Sequence, residues 1–581
     1  MHRRFETGVS AFGARRGAIG VTRNVRKPAV PLDAWQARPV REDPAGAVEP
    51  PPPDAPALSA ARPHLGDWAV VASVARGIFC RPSCPELSDH GGDRLSYPSG
   101  AAAGAAGFRA CRRCGPEIWP TSPRFATSAD LVGRALHLIA GGVVEREGAV
   151  GLARRLDCRI DELEGQLEAE LGAGVAALAR ARRADTARLL LEERALGVAD
   201  VATAVGFRSS RDLCDTLVAL FGLLPGETRG PSVPPADAGS GDRGGWTSLH
   251  VRLAFRAPLE PSSLFGHLAA TAVPGVEEVR EGAYRRALRL ANGAGVVALA
   301  PRPEHVACSL LLQDRRDVGA ALARCRWLLD LDADPDEIGE HLAGDPALAP
   351  GVRSHPGRRV PRSVDGAEMA LRAVLGQQVS TRAAATQAAR LAERHGAALD
   401  DPAGGLRRLF PSPEELCGID PETLAMPRSR RRTLLTLVAA LADGALELEL
   451  GPGADRARAR EDLGRIGGVG PWTLELVAMR ALGDPDAFPG SDLGVVRGAA
   501  ALGLPVGGRA LLARSERWRP WRSYAVQYLW GALDHPVNEW PPGGGAERIP
   551  GARPSPPRTG SARGGRRLQT RGSQPAQRRQ R

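Results

Sequence analysis

LGRIGGVGPWTLELVAMRALGDPDAFPGSD, residues 463–492, is the stretch from which the rest of the chain can be read. Gly467, Gly468, Val469 and Gly470 form a glycine-rich turn that opens onto a helix at Pro471, a residue suited to the first helical position. Glycines let backbone amides crowd together and face outward, and a helix N-terminus adds partial positive charge. Such a turn holds a phosphate without any basic side chain, and the amides of Gly468 and Gly470 are the expected donors. A carboxylate, Asp492, follows one helix and one loop later. A base-excising enzyme needs a carboxylate there, to stabilise a cationic sugar or to aim a water at the anomeric carbon. The bland alternative is a cap on a helix starting near Leu493, and Asp484 and Asp486 in GDPDAF are local competitors.

Further motifs lie on either side in a consistent order: AVLGQQVS (373–380), RWRPWRSYAVQYLW (517–530) and DLDADP from Asp330. Together with the hairpin, Trp472 and Asp492, they resemble the helix-hairpin-helix DNA glycosylases of the AlkA type over residues 249–534. The resemblance implies that Asp492 is the catalytic carboxylate and that Trp472 and Trp530 belong to an aromatic pocket. Electron-rich rings there select a cationic alkylated base by stacking and cation–π attraction. His267 stands where the family has phenylalanine, with a surface position on a helix as its equal alternative, and Leu476 and Leu493 stand where it has tyrosines, so the pocket is thinned. Gln377 and Gln378 match the wedge that fills the gap left by an extruded base. The implied partner is double-stranded DNA carrying alkylated bases, and the chain is expected to act as a monomer.

Lys27 is the only lysine, so the glycosylase region offers no amine for a Schiff base and a water-using, monofunctional reaction is expected. The net charge of +11 is less informative than it looks. Residues 541–581 hold ten arginines against one glutamate and supply +9 of it, so DNA binding has to be argued from sites. No apolar run approaches the ~20 residues a bilayer span needs. The start, MHRRFETGVSAFGARRG, lacks the apolar core of a secretory signal, so a cytoplasmic protein away from membranes is expected.

Four of the nine cysteines are paired at short spacing: Cys80 with Cys84, and Cys111 with Cys114, with 26 residues between the pairs. Each pair supplies two thiolates from one turn, the arrangement that tetrahedral zinc uses; disulfides are the alternative where a chain is exported. GIFCRPSCP (77–85), YPS (97–99) and AGFRACRRCGPE (106–117) resemble the zinc domain of the Ada family. That resemblance implies zinc held by Cys80, Cys84, Cys111 and Cys114, with Cys80 also accepting a methyl group from a DNA phosphotriester. Purely structural zinc is the other reading, because the loop LSDHGGDRLSYPSG (87–100) departs from the family's basic and aromatic run.

LGVADVATAVGFRSSRDLCDTLVALFGLLPGETR (196–229) reads as a helix, a turn at Gly206 and a second helix from about Ser209. With GLARRLDCRIDELEGQLEAELGAG (151–174) upstream, it resembles the paired subdomains of AraC-type DNA-binding domains, which implies promoter DNA as a second partner. The first half carries Asp161, Glu162, Glu164, Glu168 and Glu170 on its would-be recognition helix, which repels phosphates. It reads as a gene-activating subdomain or as a packing module. No cysteine follows Cys417 and none precedes a histidine, so an iron–sulfur cluster after the hairpin and the Pro-Cys-His-Arg motif of O6-alkylguanine transferases are both missing.

The expected architecture is multidomain and mainly α. A Pro/Arg-rich head (1–62) precedes a small zinc-bound α+β domain (63–120), AraC-type helices (121–229) and a linker (230–245). An α/β lobe (246–342), helix-hairpin-helix lobes (343–540) and an arginine-rich tail (541–581) complete it. The function expected is excision of alkylated bases coupled to a regulatory module. The alternative is a methylation-responsive regulator whose glycosylase lobe is weakly active or inactive.

Overall fold

The structure, a computed structural model, describes residues 69–540 apart from 83, 89–92, 115, 117–130, 193–195, 225–244 and 449–455. The expected head, the arginine-rich tail and all but the last residue of the linker lie outside the described residues. No described helix is long and apolar enough to cross a membrane.

The first described unit is a four-stranded sheet in the order β3-β1-β2-β4, from β1 (Val70–Ser73), β2 (Ile78–Cys80), β3 (Arg94–Tyr97) and β4 (Arg109–Ala110). Helices α1 (Pro85–Ser88) and α2 (Gly100–Ala105) flank it, and Ser99 caps α2 by accepting from the Ala102 amide at 3.1 Å. Helices follow: α3 (Leu131–Ala140), α4 (Val143–Arg155), α5 (Ile160–Leu171), α6 (Val175–Glu192), α7 (Val198–Ala204) and α8 (Ser210–Phe221). Gly148, at φ 70° and ψ 179°, kinks α4, so its second half and α5 form one helix-turn-helix. Helices α7 and α8 form the other, turning at Gly206 (φ 80°) with Ser209 as the cap of α8.

A five-stranded antiparallel sheet, β5-β9-β8-β7-β6, comes next: β5 (Thr247–Ala254), β6 (Glu277–Arg280), β7 (Ala283–Arg289), β8 (Ala294–Pro301) and β9 (His305–Leu312), with α9 (Pro261–Ala270) inserted after β5. The alternation SLHVRLAF appears as buried Leu249, Val251 and Leu253 between exposed neighbours. Helices then dominate, as expected: α10 (Val318–Leu328), α11 (Pro335–Ala343), α12 (Ala349–Ser354), α13 (Gly366–Leu375), α14 (Thr381–His395), α15 (Arg428–Ala442), α16 (Arg456–Gly464), α17 (Pro471–Arg480), α18 (Leu493–Ala501), α19 (Gly508–Ser515) and α20 (Arg522–Gly531).

Two apolar cores meet at the five-stranded sheet. One runs from the small sheet through the helix-turn-helix helices to Leu249, Val297 and Leu322; the other takes Val296 and Ala287 into the helical lobes. Adjacent residues of β8 thus serve opposite cores, as strand alternation requires. Helix α3 packs on α10, α6 on β5, and α7 on the turn at Arg315–Asp317, where Arg315 Nη1 lies 2.7 Å from Asp200 Oδ1.

Sheet and helical lobes are joined by a buried ionic cluster. Arg286 on β7 reaches Glu277 Oε1 at 3.0 Å and Glu368 Oε2, on α13, at 2.8 Å. Arg372, one turn along α13, meets the same acids at 3.1 and 2.8 Å, and the Tyr284 hydroxyl donates to Glu277 at 2.7 Å. The DLDADP segment contributes a second tie: Asp330 accepts from Tyr524 at 2.8 Å and pairs with Arg362 at 2.8 Å. Burial opposes ionisation of Glu277, but Arg372 and Arg286 outweigh it and hold the pKa at about 2. The folded value lies below the unfolded one of about 4.3, so the stabilisation is complete above that pH and is lost as pH falls towards 2. Replacing Glu277 with Gln leaves two buried guanidinium groups short of charge, and we expect a loss of about 3 kcal/mol. The drop in denaturation midpoint should shrink in acid, where the wild type loses the same interaction.

Candidate functional site

The hairpin between α16 and α17 is built as its glycines suggest. Gly468 has φ 93°, and a Cβ there would lie 1.9 Å from Thr433 Oγ1, so both backbone and space demand glycine. Thr433, on the buried face of α15, donates its hydroxyl to Gly467 O at 2.8 Å. Gly470 is the N-cap of α17 and no side chain caps that helix. The amides of Gly468 and Gly470 find no acceptor among the described residues, and around Gly470 the space is open. Two free N–H groups at an uncapped helix mouth are what an anion needs.

Asp492 lies at the end of the loop after α17 and is both cap and candidate catalyst. Its Oδ1 accepts from the Val495 amide at 3.0 Å, which caps α18, and from Trp530 Nε1 at 3.1 Å. Its Oδ2 accepts from Trp472 Nε1 at 2.9 Å. The two tryptophans predicted for the pocket therefore turn their indole N–H groups on the carboxylate. Asp484 and Asp486 are tied up instead, Asp484 with Arg460 at 3.2 Å and Asp486 with Arg522 at 2.7 Å and Arg519. Asp492 makes no ion pair among the described residues, so its charge is held by neutral donors.

Sequence reasoning overlooked two supports of this arrangement. Thr433 underpins the hairpin from 34 residues away. A Cβ on Gly494 would lie 2.9 Å from Trp530 Nε1 and 3.0 Å from Asp492 Oδ1, so glycine there lets indole and carboxylate meet. A lone glycine two residues past the carboxylate was the available signal for the second; nothing local marked the first.

The structure separates the two glutamines. Gln377 Nε2 donates to Gly468 O at 3.1 Å and to Thr473 Oγ1 at 3.0 Å, stitching the end of α13 to the hairpin. Gln378 is exposed, with φ 56°, a backbone conformation that side chains other than glycine rarely take. His267 is a buried residue of α9, not a surface one. Its ring stacks on Trp530 with centroids 5.7 Å apart and planes at 23°, and its Nε2 has no hydrogen-bond partner. Burial, then the charges of Arg480 and Arg372, push its pKa well below the usual histidine value, so the ring is neutral at pH 7. Leu476 is a half-buried residue of α17, and Leu493 is 61% exposed next to Asp492.

Cys80, at the end of β2, Cys84, Cys111 and Cys114 bring their Sγ atoms within 4.8 Å of one another. Tetrahedral zinc with Zn–S of about 2.3 Å needs sulfurs about 3.8 Å apart, so the four fit with small adjustments. All nine cysteines are free, so the disulfide alternative is not realised. Burial raises Cys114 to about 11, and burial, then Cys111, push Cys80 higher still. Sulfurs crowded in this way ionise together only beside a cation. Cys80 has no exposed surface, whereas Cys114 is partly exposed and accepts from the Arg81 amide at 3.5 Å.

The zinc-type domain touches both helix-turn-helix units. Ser99 donates to the last carbonyl of α5, Leu171, at 2.6 Å, and Arg112 donates to Gly222 O, just beyond α8. Helix α8 presents exposed Arg208, Ser209 and Arg211 at its mouth. Helix α5 presents Asp161, Glu162, Glu168 and Glu170, while Glu164 accepts from the Val175 amide at 3.0 Å and so serves packing.

Three family models match the chain: the metal binding domain of Ada over residues 55–117, a helix-turn-helix domain over 152–230 and the AlkA N-terminal domain over 250–365. The "Probable bifunctional transcriptional activator/DNA repair enzyme AlkA" of Mycobacterium tuberculosis is 51% identical over 475 residues, covering 82% of this chain and 95% of its own length. The DNA-3-methyladenine glycosylase 2 of Escherichia coli is 34% identical over 284 residues, 48% of this chain and 95% of its own. The DNA-3-methyladenine glycosylase of Bacillus subtilis is 30% identical over 210 residues, 35% of this chain and 69% of its own. A metal-binding domain, a helix-turn-helix domain and an AlkA region follow one another here in a single chain, at 51% identity to a relative of nearly the same extent. The chain belongs to the bifunctional transcriptional activator/DNA repair AlkA family.

Proposed function

We propose that this protein hydrolyses the N-glycosidic bond of alkylated bases such as 3-methyladenine in double-stranded DNA and leaves an abasic site. The observation that carries the reading is Asp492, a carboxylate without an ion-pair partner among the described residues, held by two indole N–H groups, one of them on the helix that opens from a hairpin with two free amides. The hairpin amides hold the strand and bring the sugar of the damaged nucleotide to the carboxylate. Oδ1 already accepts two hydrogen bonds, whereas Oδ2 accepts one and keeps a lone pair for a water or for the cationic sugar. Water attacks the anomeric carbon, the C–N bond breaks, and the base leaves with the bonding electrons. A base already cationic leaves as a neutral molecule, so Asp492 has charge to stabilise and little proton transfer to perform.

Gln378, exposed and backbone-strained, is the wedge in this reading, because the Gln377 amide is committed to the hairpin. His267 and Trp530 form one wall of the base pocket, and a neutral imidazole does not repel a cationic base. Asn at position 492 can still cap α18, so Asp492→Asn should fold normally. Release of 3-methyladenine from methylated DNA should nevertheless fall by about 100- to 10,000-fold. Equal release by wild type and variant would remove Asp492 from the mechanism.

For the zinc domain, the CRPSC motif supports Cys80 as methyl acceptor, and the burial of Cys80 favours a structural metal site. Zinc bound by the four cysteines keeps their sulfurs deprotonated at neutral pH. Transfer then requires the residues over Cys80 to open. The Cys80 sulfur forms a bond to the methyl carbon, and the phosphate oxygen departs with the C–O electron pair as a diester anion. Peptide mass spectrometry after exposure to methylphosphotriester DNA should find one methyl group on Cys80. An unmodified cysteine set means that the metal is structural and that the helix-turn-helix units respond to something else.

A further inference from the structure

Buried arginines of the helical lobes are otherwise bonded: Arg362 pairs with Asp330 at 2.8 Å, Arg480 donates to Pro361 O at 2.9 Å, Arg456 to Leu482 O at 3.1 Å and Arg358 to Gln527 O at 3.2 Å. The first turn of α15, RSRRR, departs from this habit. Arg428, Arg430 and Arg432 have no hydrogen-bond or ion-pair partner among the described residues. Arg428 and Arg432 are exposed and four residues apart, so they project from one face of the helix.

Arg430 is the telling member. It is only 9% exposed, yet no carboxylate or carbonyl meets its guanidinium, and none of its nitrogens is both sealed from solvent and unbonded. Its stem is therefore buried while its charged tip reaches the surface. Thr433, three residues on, shares the same buried stripe and bonds Gly467 O at 2.8 Å. Residues three apart stack on one helix face and side chains lean towards the N-terminus, so the Arg430 tip lies one turn nearer the helix mouth, along the edge of the hairpin. No side chain caps α15, and the amides of Arg428, Ser429 and Arg430 have no acceptor among the described residues. A nearly buried cation without an anion, beside free amides and two further cations, is a site that lacks only its ligand.

We propose that the first turn of α15, through Arg430, Arg428, Arg432 and the free amides, binds a second phosphate of the DNA strand that the hairpin grips. This rests on the reading of the hairpin as a DNA contact. Two adjoining phosphate sites fix the direction of the strand as well as its position, and so aim the damaged nucleotide at Asp492. Arg431 takes no part, since it is spent on Glu422 and the Met426 carbonyl.

The test is binding of the full-length protein to a duplex carrying a tetrahydrofuran abasic-site analogue, which separates affinity from chemistry. Fluorescence anisotropy across a salt series gives both the Kd and its salt slope. Arg430→Met, and the double variant Arg428→Ala/Arg432→Ala, should each bind about five- to tenfold more weakly at low salt, equally for all sequences. The slope of log K against log salt should fall by about one for each phosphate that the variant no longer neutralises. Arg430→Lys should recover much of the affinity. Folded variants with wild-type Kd and slope overturn the proposal; should Arg430→Met fail to fold, the exposed double variant decides alone. Weaker binding by these variants alongside a wild type that releases no alkylated base would uphold the phosphate site and reject the glycosylase reading.

Discussion

The buried cluster of Glu277, Arg286, Glu368 and Arg372 is the constraint from which the active region hangs. It fixes α13 against the sheet, and α13 ends two residues before Gln377, whose amide bonds the hairpin at Gly468. The hairpin sets the start of α17, whose second residue is Trp472, and Trp472 holds Oδ2 of Asp492. Hydrogen bonds and short stretches of backbone between them thus link charges sealed in the interior to the Asp492 carboxylate. Four charges are expensive to bury, and hydrophobic residues of similar volume would often stabilise the lobe as well. The cluster offers directionality, which apolar packing lacks: each guanidinium has fixed donors and admits one register of α13 against β7.

Capping and the proposed catalysis fall on one residue at the site. Asp492 ties down the Val495 amide with Oδ1 and meets Trp472 with Oδ2. A carboxylate that caps a helix is oriented before substrate arrives, so little ordering remains for the reaction itself. Neutral indole donors suit this better than arginine would, because an arginine would cancel the charge that a cationic sugar needs.

Local chemistry made the hairpin, the carboxylate and the cysteine quartet legible in the sequence. A positive-φ glycine, a helix opening on proline and ligands three or four residues apart are short-range demands that leave short-range marks. The helix-turn-helix boundaries were legible for the same reason, with Gly206 and Ser209 at the turn and cap. What stayed hidden was non-local. Trp472 and Trp530 are 20 and 38 residues from Asp492, and nothing in the sequence tells whether an indole offers a base its face or a carboxylate its N–H. The division of labour between Gln377 and Gln378 depends on Thr473 and Gly468, nearly a hundred residues on. His267 looked as much like a surface residue as a pocket one because burial of α9 is decided by the C-terminal segment, whose Glu539 backbone packs against Gly266. The burial of Cys80 is likewise a property of the folded domain and not of the CRPSC motif.

The apolar core that runs without a break from the small sheet through both helix-turn-helix units to the five-stranded sheet sets the terms on which the chain can vary. The zinc-type and helix-turn-helix domains and the repair lobe are not beads on a string, since removing one part strips cover from Leu249, Val251 and Leu322 of the other. A substitution that loosens packing around Phe79 or Leu213, far from any damaged base, lowers the amount of folded glycosylase as well as the response. Selection therefore sees the two halves as one heritable trait, and neither can decay quietly while the other is kept.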